Sequence, residues 1–379
     1  MKFIIDNKEL NVSLDCLNSA SFTVSSIPVP YRVTWDSTEN PCDTINEILI
    51  KNPKNLLFID EKVFELYGKD IKHPANKIFK APASESFKTL DGVTQLCDFL
   101  YQHDFTKGET LVVVGGGIIQ DIGAFVGASY KRGINWVHFP TTLLAMSDSC
   151  IGGKAGVNYK GVKNQLALFS APREVIINPA FLNTLEKRDI QSGLGEILKL
   201  YITGGQMLLN TYDKYIKNGM IANKKDVKAL VLGALAVKKA VIEEDEFELN
   251  LRKALNYGHT LGHAIESISN YDIPHGIAVV VGMMLVNRMS CERGLLARTD
   301  CTAINNLCFR LLDDDLLATL KKIDMHAMMQ CLKQDKKVIG NSVTFVMLSS
   351  PGNLNFVKVK LDEELTDQIK DTFNQLFVY

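Results

Sequence analysis

Apolar positions along this chain fall into two textures, with the change near residue 180. In the first part, short runs of branched and aromatic residues alternate with longer stretches of helical period. Runs at 55–59 (N-L-L-F-I), 77–80 (K-I-F-K), 110–114 (T-L-V-V-V), 136–139 (W-V-H-F) and 174–177 (E-V-I-I) have the length and composition of buried strands. Segments at 61–67, 90–103 and 118–131 read as helices between them. Strand and helix alternating without tight hairpins predict a mainly parallel sheet covered on both faces. Residues 1 to about 50 are less regular, with short-strand character at 3–5 and 21–24. Beyond 180 the periodic segments lengthen, at 190–202, 207–216, 225–243, 251–269, 277–293 and 313–323, and predict helices. The exception is 342–348 (S-V-T-F-V-M-L), a strand or half of a hairpin. The expected architecture is an α/β domain over 1–180 followed by a mostly α-helical domain over 181–379.

Composition narrows the function without naming it. Lysine plus arginine (42) and aspartate plus glutamate (43) nearly cancel, and no basic run suggests nucleic acid. Any positive pocket must be local. Eight cysteines at irregular spacing, with no C-x-x-C pair, read as reduced thiols. The opening M-K-F-I-I-D-N-K-E-L is too charged for a secretion signal, and the longest apolar runs (around 277–286) fall well short of a membrane span. A cytoplasmic protein without membrane contact is expected.

The densest chemistry lies at 252–263, R-K-A-L-N-Y-G-H-T-L-G-H. His259 and His263, four apart in an expected helix, share one face, and Asn256 and Arg252 continue it. Two such imidazoles suit a divalent metal such as zinc, which needs a further ligand; His275 and Glu196 are the candidates. The plainer alternative is one histidine at a helix end and the other exposed. Gly115, Gly116 and Gly117 follow a strand and open a helix, where backbone amides can approach a pyrophosphate, although a tight structural turn reads equally well. Asp60, at a strand's C-terminal end, is placed either to accept from a ribose hydroxyl or to cap the next helix. The glycine-rich segment 140–164 has the look of a functional loop. Lys154, Lys163 and Asn164 in it supply donors for an anion, and Asp148 could serve the metal or a nicotinamide end. Lys199 follows Glu196 by one turn, and Lys238 sits among small and apolar residues. With Arg252, Asn256 and the D-K-K at 335–337, these donors suggest a substrate carrying both a phosphate and a carboxylate.

Taken together, G-G-G-I-I-Q-D, Y-K-R-G-I around Arg132, P-T-T-L-L-A, D-S-x-x-G-G-K-x-G-V-N…K-N, G-x-x-E-I-L-K, L-R-x-x-L-N-Y-G-H-T-L-G-H-A-I-E, H-G-x-A-V-x-x-G-M and D-K-K resemble the 3-dehydroquinate synthases, of the sugar phosphate cyclase superfamily. The match runs in order from about Asp60 to Lys337. The resemblance implies an α/β dinucleotide-binding domain plus a helical metal-binding domain, with the active site in the cleft between. It implies Glu196, His259 and His275 as ligands of Zn2+ (or Co2+), with His263 near the metal and phosphate but not a ligand. NAD would contact Asp60, the segment from Glu85 to Lys88, the segment from Gly115 through Gly116 and Gly117 to Asp121, Thr141, Thr142, Asp148, Lys154, Lys163 and the segment from Phe181 to Thr184. Lys154, Asn164, Asn256, His263 and Lys336 or Lys337 would hold the substrate phosphate, with Arg132 reaching it from a neighbouring subunit, hence a homodimer. Lys238 and Arg252 would pair with the substrate carboxylate, and Lys199 would lie near the reacting hydroxyls. The implied reaction is cyclisation of a heptulosonate 7-phosphate to 3-dehydroquinate with loss of phosphate. The alternative is a related cyclase of secondary metabolism: aminodehydroquinate synthase, 2-deoxy-scyllo-inosose synthase or 2-epi-5-epi-valiolone synthase.

Overall fold

The computed structural model describes residues 1–27, 29–333 and 338–378. The chain divides into two compact units, residues 15–186 and residues 187–379 together with the first 14. The expected border at 180 thus lies six residues early, and the N-terminal strands belong with the second unit. The reason is pairing. Lys2–Ile5 lies parallel to Asn353–Lys360, and Lys8–Asn11 hairpins back onto it.

The α/β unit is built on a seven-stranded sheet, in spatial order Ser21–Val24, Tyr31–Trp35, Glu174–Ile177, Asn135–Pro140, Thr110–Gly115, Leu56–Asp60 and Ile78–Ala81. Every neighbouring pair is parallel except the first. The central strands are apolar on both faces, as a sheet covered on both sides demands. One face packs Leu56, Phe58, Val113 and Trp136 against Ile119, Ile122 and Val126 of the Gly117–Ser129 helix and Leu96 and Leu100 of Leu90–Gln102. Successive connections reverse direction between Leu56–Asp60 and Thr110–Gly115. Their C-terminal ends therefore form a topological switch point, where open α/β sheets bind ligands.

The expected loop at 140–164 is more ordered than its composition predicts. It contains a π-helical turn, Ala145–Ser149, and then the hairpin Lys154–Tyr159/Val162–Phe169. Backbone pairing satisfies polar groups that the sequence pattern left unassigned, so the expectation of no tight hairpins fails here.

The second unit is mostly helical and also carries a sheet, in order Val338–Ile339, Ser342–Ser350, Asn353–Lys360, Lys2–Ile5 and Lys8–Asn11. The strand expected at 342–348 is present as half of a hairpin. The expected continuous helix over 251–269 is broken. Leu251–Asn256 is a 3-10 turn, Gly258 takes a left-handed conformation (φ 77°), and the α-helix starts at His259. Arg252 and Asn256 therefore do not extend the helical face of His259 and His263. Among the described residues, no helix is long and apolar enough to cross a membrane.

Candidate active site

Three helices of the second unit, Lys187–Gly204, His259–Ile268 and His275–Glu292, meet at glycines. A Cβ on Gly276 would sit 1.9 Å from the Ser192 carbonyl oxygen, and one on Gly282 would sit 2.0 Å from that of Gly258. Backbones this close bring the residues beside those notches together. Glu196 lies one residue from Gly195, itself packed on Gly276, and His275 directly precedes Gly276.

His259, His263 and His275 each bring a ring nitrogen within 4.8 Å of the other two. Glu196 Oε1 lies 3.7 Å from His259 Nε2 and 3.4 Å from His275 Nε2. Ligand atoms about 2.0–2.1 Å from a tetrahedral zinc ion stand about 3.3 Å apart, so these separations suit one ion. The Glu196 carboxylate is buried, and neither oxygen receives a well-aligned hydrogen bond, although Lys199 Nζ lies 2.5 Å from Oε2. Burial acts to lower the pKa of His275, but the Glu196 and Glu266 carboxylates facing its two ring nitrogens outweigh that and raise it to about 10. Two carboxylates facing one imidazole call for positive charge, and a divalent ion supplies it. The donor set therefore fits a metal, whether three nitrogens or Glu196, His259 and His275 bind it.

Cationic groups lie deep in the same unit. Lys199 and Arg252 are 2% exposed and Lys238 is 7% exposed, far below the usual exposure of such residues. The Arg252 guanidinium donates to the Glu246 carbonyl, and its backbone N–H donates to Asp245 Oδ2. Asn256 Nδ2 donates to Glu248 Oε1 at 2.9 Å. Lys337, with its neighbours 335 and 336, lies outside the described residues.

In the α/β unit the expected dinucleotide residues gather at the switch point. Ile59 pairs with Val114, so Asp60 stands beside the Gly115–Gly117 turn. Asp60 does cap its helix, Oδ1 accepting from Lys62 N at 2.9 Å; burial raises its pKa, against the pull of backbone hydrogen bonds from Lys62 and Val63. Thr141 N donates to the Gly115 carbonyl, and a Cβ on Gly116 would meet Thr142 Cγ2 at 2.9 Å, so the turn must be glycine for these segments to close. Gln120 and Ser149 exchange two 2.7 Å hydrogen bonds, fixing the π-turn that carries Asp148.

Beside this turn a polar network links three segments. Lys88, 5% exposed, donates to Asp121 Oδ2 at 2.9 Å and Asn164 Oδ1 at 2.8 Å. Burial raises the Asp121 pKa despite the Lys88 ammonium. Lys163 Nζ pairs with Glu85 Oε1 at 3.1 Å, and Asn158 Nδ2 donates to Glu85 Oε2 at 2.7 Å. Burial acts against Glu85 ionisation, but Asn158, Lys88 and Lys163 together hold its pKa below the usual range. Lys154 is exposed at the start of the hairpin. Phe181 is buried edge-on against Tyr67 (ring centroids 5.3 Å apart), whose hydroxyl lies 2.9 Å from Thr184 Oγ1. Arg132 sits on an exposed turn with Lys131, both left-handed (φ 59° and 50°).

Fold and site define a class: an α/β unit with a glycine turn at its topological switch point, and a helical unit with a histidine–carboxylate cluster whose donors fit a metal. Residues 78–192 match the model of the 3-dehydroquinate synthase N-terminal domain, and residues 193–338 match that of its C-terminal domain. A 3-dehydroquinate synthase from Streptococcus equi subsp. equi (strain 4047) is 34% identical over 341 residues, 88% of this chain and 93% of its own length. The chain belongs to the 3-dehydroquinate synthase family. Solved structures share the fold. A 2-deoxy-scyllo-inosose synthase complexed with carbaglucose-6-phosphate, NAD+ and Co2+ aligns with TM-score 0.79 at 21% identity, over 94% of this chain and 99% of that one. A 2-epi-5-epi-valiolone synthase from Streptomyces hygroscopicus subsp. jinggangensis 5008, with NAD+ and Zn2+ bound, aligns with TM-score 0.77 at 23% identity, over the same shares.

Proposed function

We propose that this protein is a 3-dehydroquinate synthase, a carbon–oxygen lyase that closes a heptulosonate 7-phosphate into 3-dehydroquinate and releases phosphate. The observation that carries this reading is the buried Glu196 carboxylate facing His259 and His275, in a unit that also buries Lys199, Lys238 and Arg252. The family relatives at about one-third identity support the same reaction. Glu196, His259 and His275 would hold Zn2+ or Co2+, and Asp60, Glu85, Lys88, Gly115–Gly117, Asp121, Thr141, Thr142, Asp148, Lys163, Phe181 and Thr184 would line the NAD site. When bound, the metal supplies Lewis acidity and the dinucleotide a reversible hydride acceptor, so each turnover is redox-neutral.

The side chains then divide the remaining work. Arg252 and Lys238 anchor the substrate carboxylate as fixed, desolvated cations. Lys154, Asn164, His263 and Asn256 hold the phosphate, with Lys337 as a further donor and Arg132 supplied by a second copy in a homodimer. Lys199, 2.5 Å from Glu196, donates toward the reacting hydroxyls. Orientation by these groups and their preorganised charge lower the barriers. Scattered free cysteines and balanced charge support a cytoplasmic setting.

The test is phosphate release with NAD and zinc, comparing 3-deoxy-arabino-heptulosonate 7-phosphate with sedoheptulose 7-phosphate and glucose 6-phosphate. Release from the acid alone is expected. Turnover of either neutral sugar but not the acid would instead make the protein a secondary-metabolism cyclase, and accumulation of NADH would point to a dehydrogenase.

A further inference from the structure

We propose that Glu266 is a positioning residue for the metal centre: its carboxylate fixes the His275 ring so that Nε2 is the ligating atom. This rests on the reading of His275 as a metal ligand. His275 is the first residue of its helix, behind Pro274, so its backbone alone leaves the direction of the ring open. Glu266 Oε2 lies 3.0 Å from His275 Nδ1. An ionised carboxylate only accepts hydrogen bonds, so Nδ1 carries the proton and donates. That leaves Nε2, 3.4 Å from Glu196 Oε1, to present its lone pair to the ion. His259 has a weaker counterpart, its Nδ1 3.3 Å from the Tyr257 carbonyl. His275 Nδ1 faces a carboxylate in place of a carbonyl.

The backbone of Glu266 adds to this role. Its carbonyl accepts from Ser269 Oγ at 2.9 Å and from Tyr271 N at 3.1 Å, closing the turn that leads to His275. One residue thus ties the helix bearing His259 and His263 to the ligand on the next. Carboxylates behind metal-bound histidines raise ligand basicity and lock the ring, and their loss weakens metal binding roughly 10–100-fold.

The test uses the full chain and Zn2+ or Co2+ alone, titrated against a chromogenic chelator, with circular dichroism as a folding control. Glu266→Ala is expected to weaken binding roughly 10–100-fold and shift the visible Co2+ bands. Glu266→Gln keeps an acceptor of the same shape and should fall between it and the unaltered chain. His275→Ala should lose more than either. If both Glu266 variants bind as the unaltered chain does while His275→Ala loses the ion, the inference fails and the ligand reading stands. If His275→Ala also binds normally, the ligand set and the inference fall together. Should Glu266→Ala not fold, Glu266→Gln decides alone: unchanged affinity refutes, weakened affinity supports.

Discussion

Gly276→Ala is the smallest change expected to dismantle the proposed metal centre without altering Glu196, His259 or His275. The added Cβ would lie 1.9 Å from the Ser192 carbonyl oxygen, against an ordinary contact of about 3.4 Å. The neighbour is backbone inside a buried helix, so no side chain can swing aside. The helices bearing Glu196 and His275 must therefore part by about 1.5 Å, and the 3.0 Å bond from Gly276 N to Ser192 Oγ is lost with them. Overpacking of this kind costs about 1–3 kcal/mol. In a unit of about 200 residues that lowers the melting temperature by roughly 2–12 °C. The effect on metal should be larger in proportion, because sites tolerate ligand displacements of only about 0.2 Å. Thermal melts with and without zinc, plus chelator competition, measure both. Gly108→Ala, whose Cβ would meet only the Thr106 hydroxyl at 3.6 Å, is the control. If Gly276→Ala melts and binds zinc like that control, the glycine-notch account of the site is wrong.

Other perturbations test the remaining parts. Lys88→Met strips the ammonium from Asp121 and Asn164; stability in urea should fall by about 3 kcal/mol, as when one partner of a buried pair is removed, and NAD binding should weaken. A change within about 0.5 kcal/mol would show the network to be incidental. Arg252→Ala should raise KM for the acid substrate while NAD affinity stays unchanged, and equal losses would contradict its assignment. His138 is completely buried, which lowers its pKa to about 3, against a weak pull from the Val113 carbonyl. The unfolded chain therefore binds the extra proton first, and stability should fall as pH drops from about 6.5 toward 3, by up to about 1.4 kcal/mol per pH unit. His138→Gln should flatten that acid slope in urea titrations; an unchanged slope would assign it to other groups.

Period and composition made most of the architecture legible. Short apolar runs and 3.6-fold periods in residues 55–180 marked the strands and helices, because a doubly covered sheet writes continuous apolar runs into its central strands. The one-turn spacing of Glu196 and Lys199 correctly predicted a shared face, since it depends only on local helix geometry. The motifs also point to Glu196, His259 and His275, and the fold brings the Glu196 carboxylate to 3.7 and 3.4 Å from the two rings. Other features required the folded chain. Helical period runs through Gly258, but a left-handed residue there ends one element and begins another, so Arg252 and Asn256 lie on a 3-10 turn and not on the helix of His259. The hairpin at 154–169 was hidden because its second strand is largely polar and exposed, so no apolar run marks it. The N-terminal strands joined the second unit through pairing with residues more than 300 positions away, which no local pattern records. Glu266 closes the same motif that carries His259 and His263. Its meeting with His275 depends on how two helices pack, and side-chain spacing along one helix carries no information about the next.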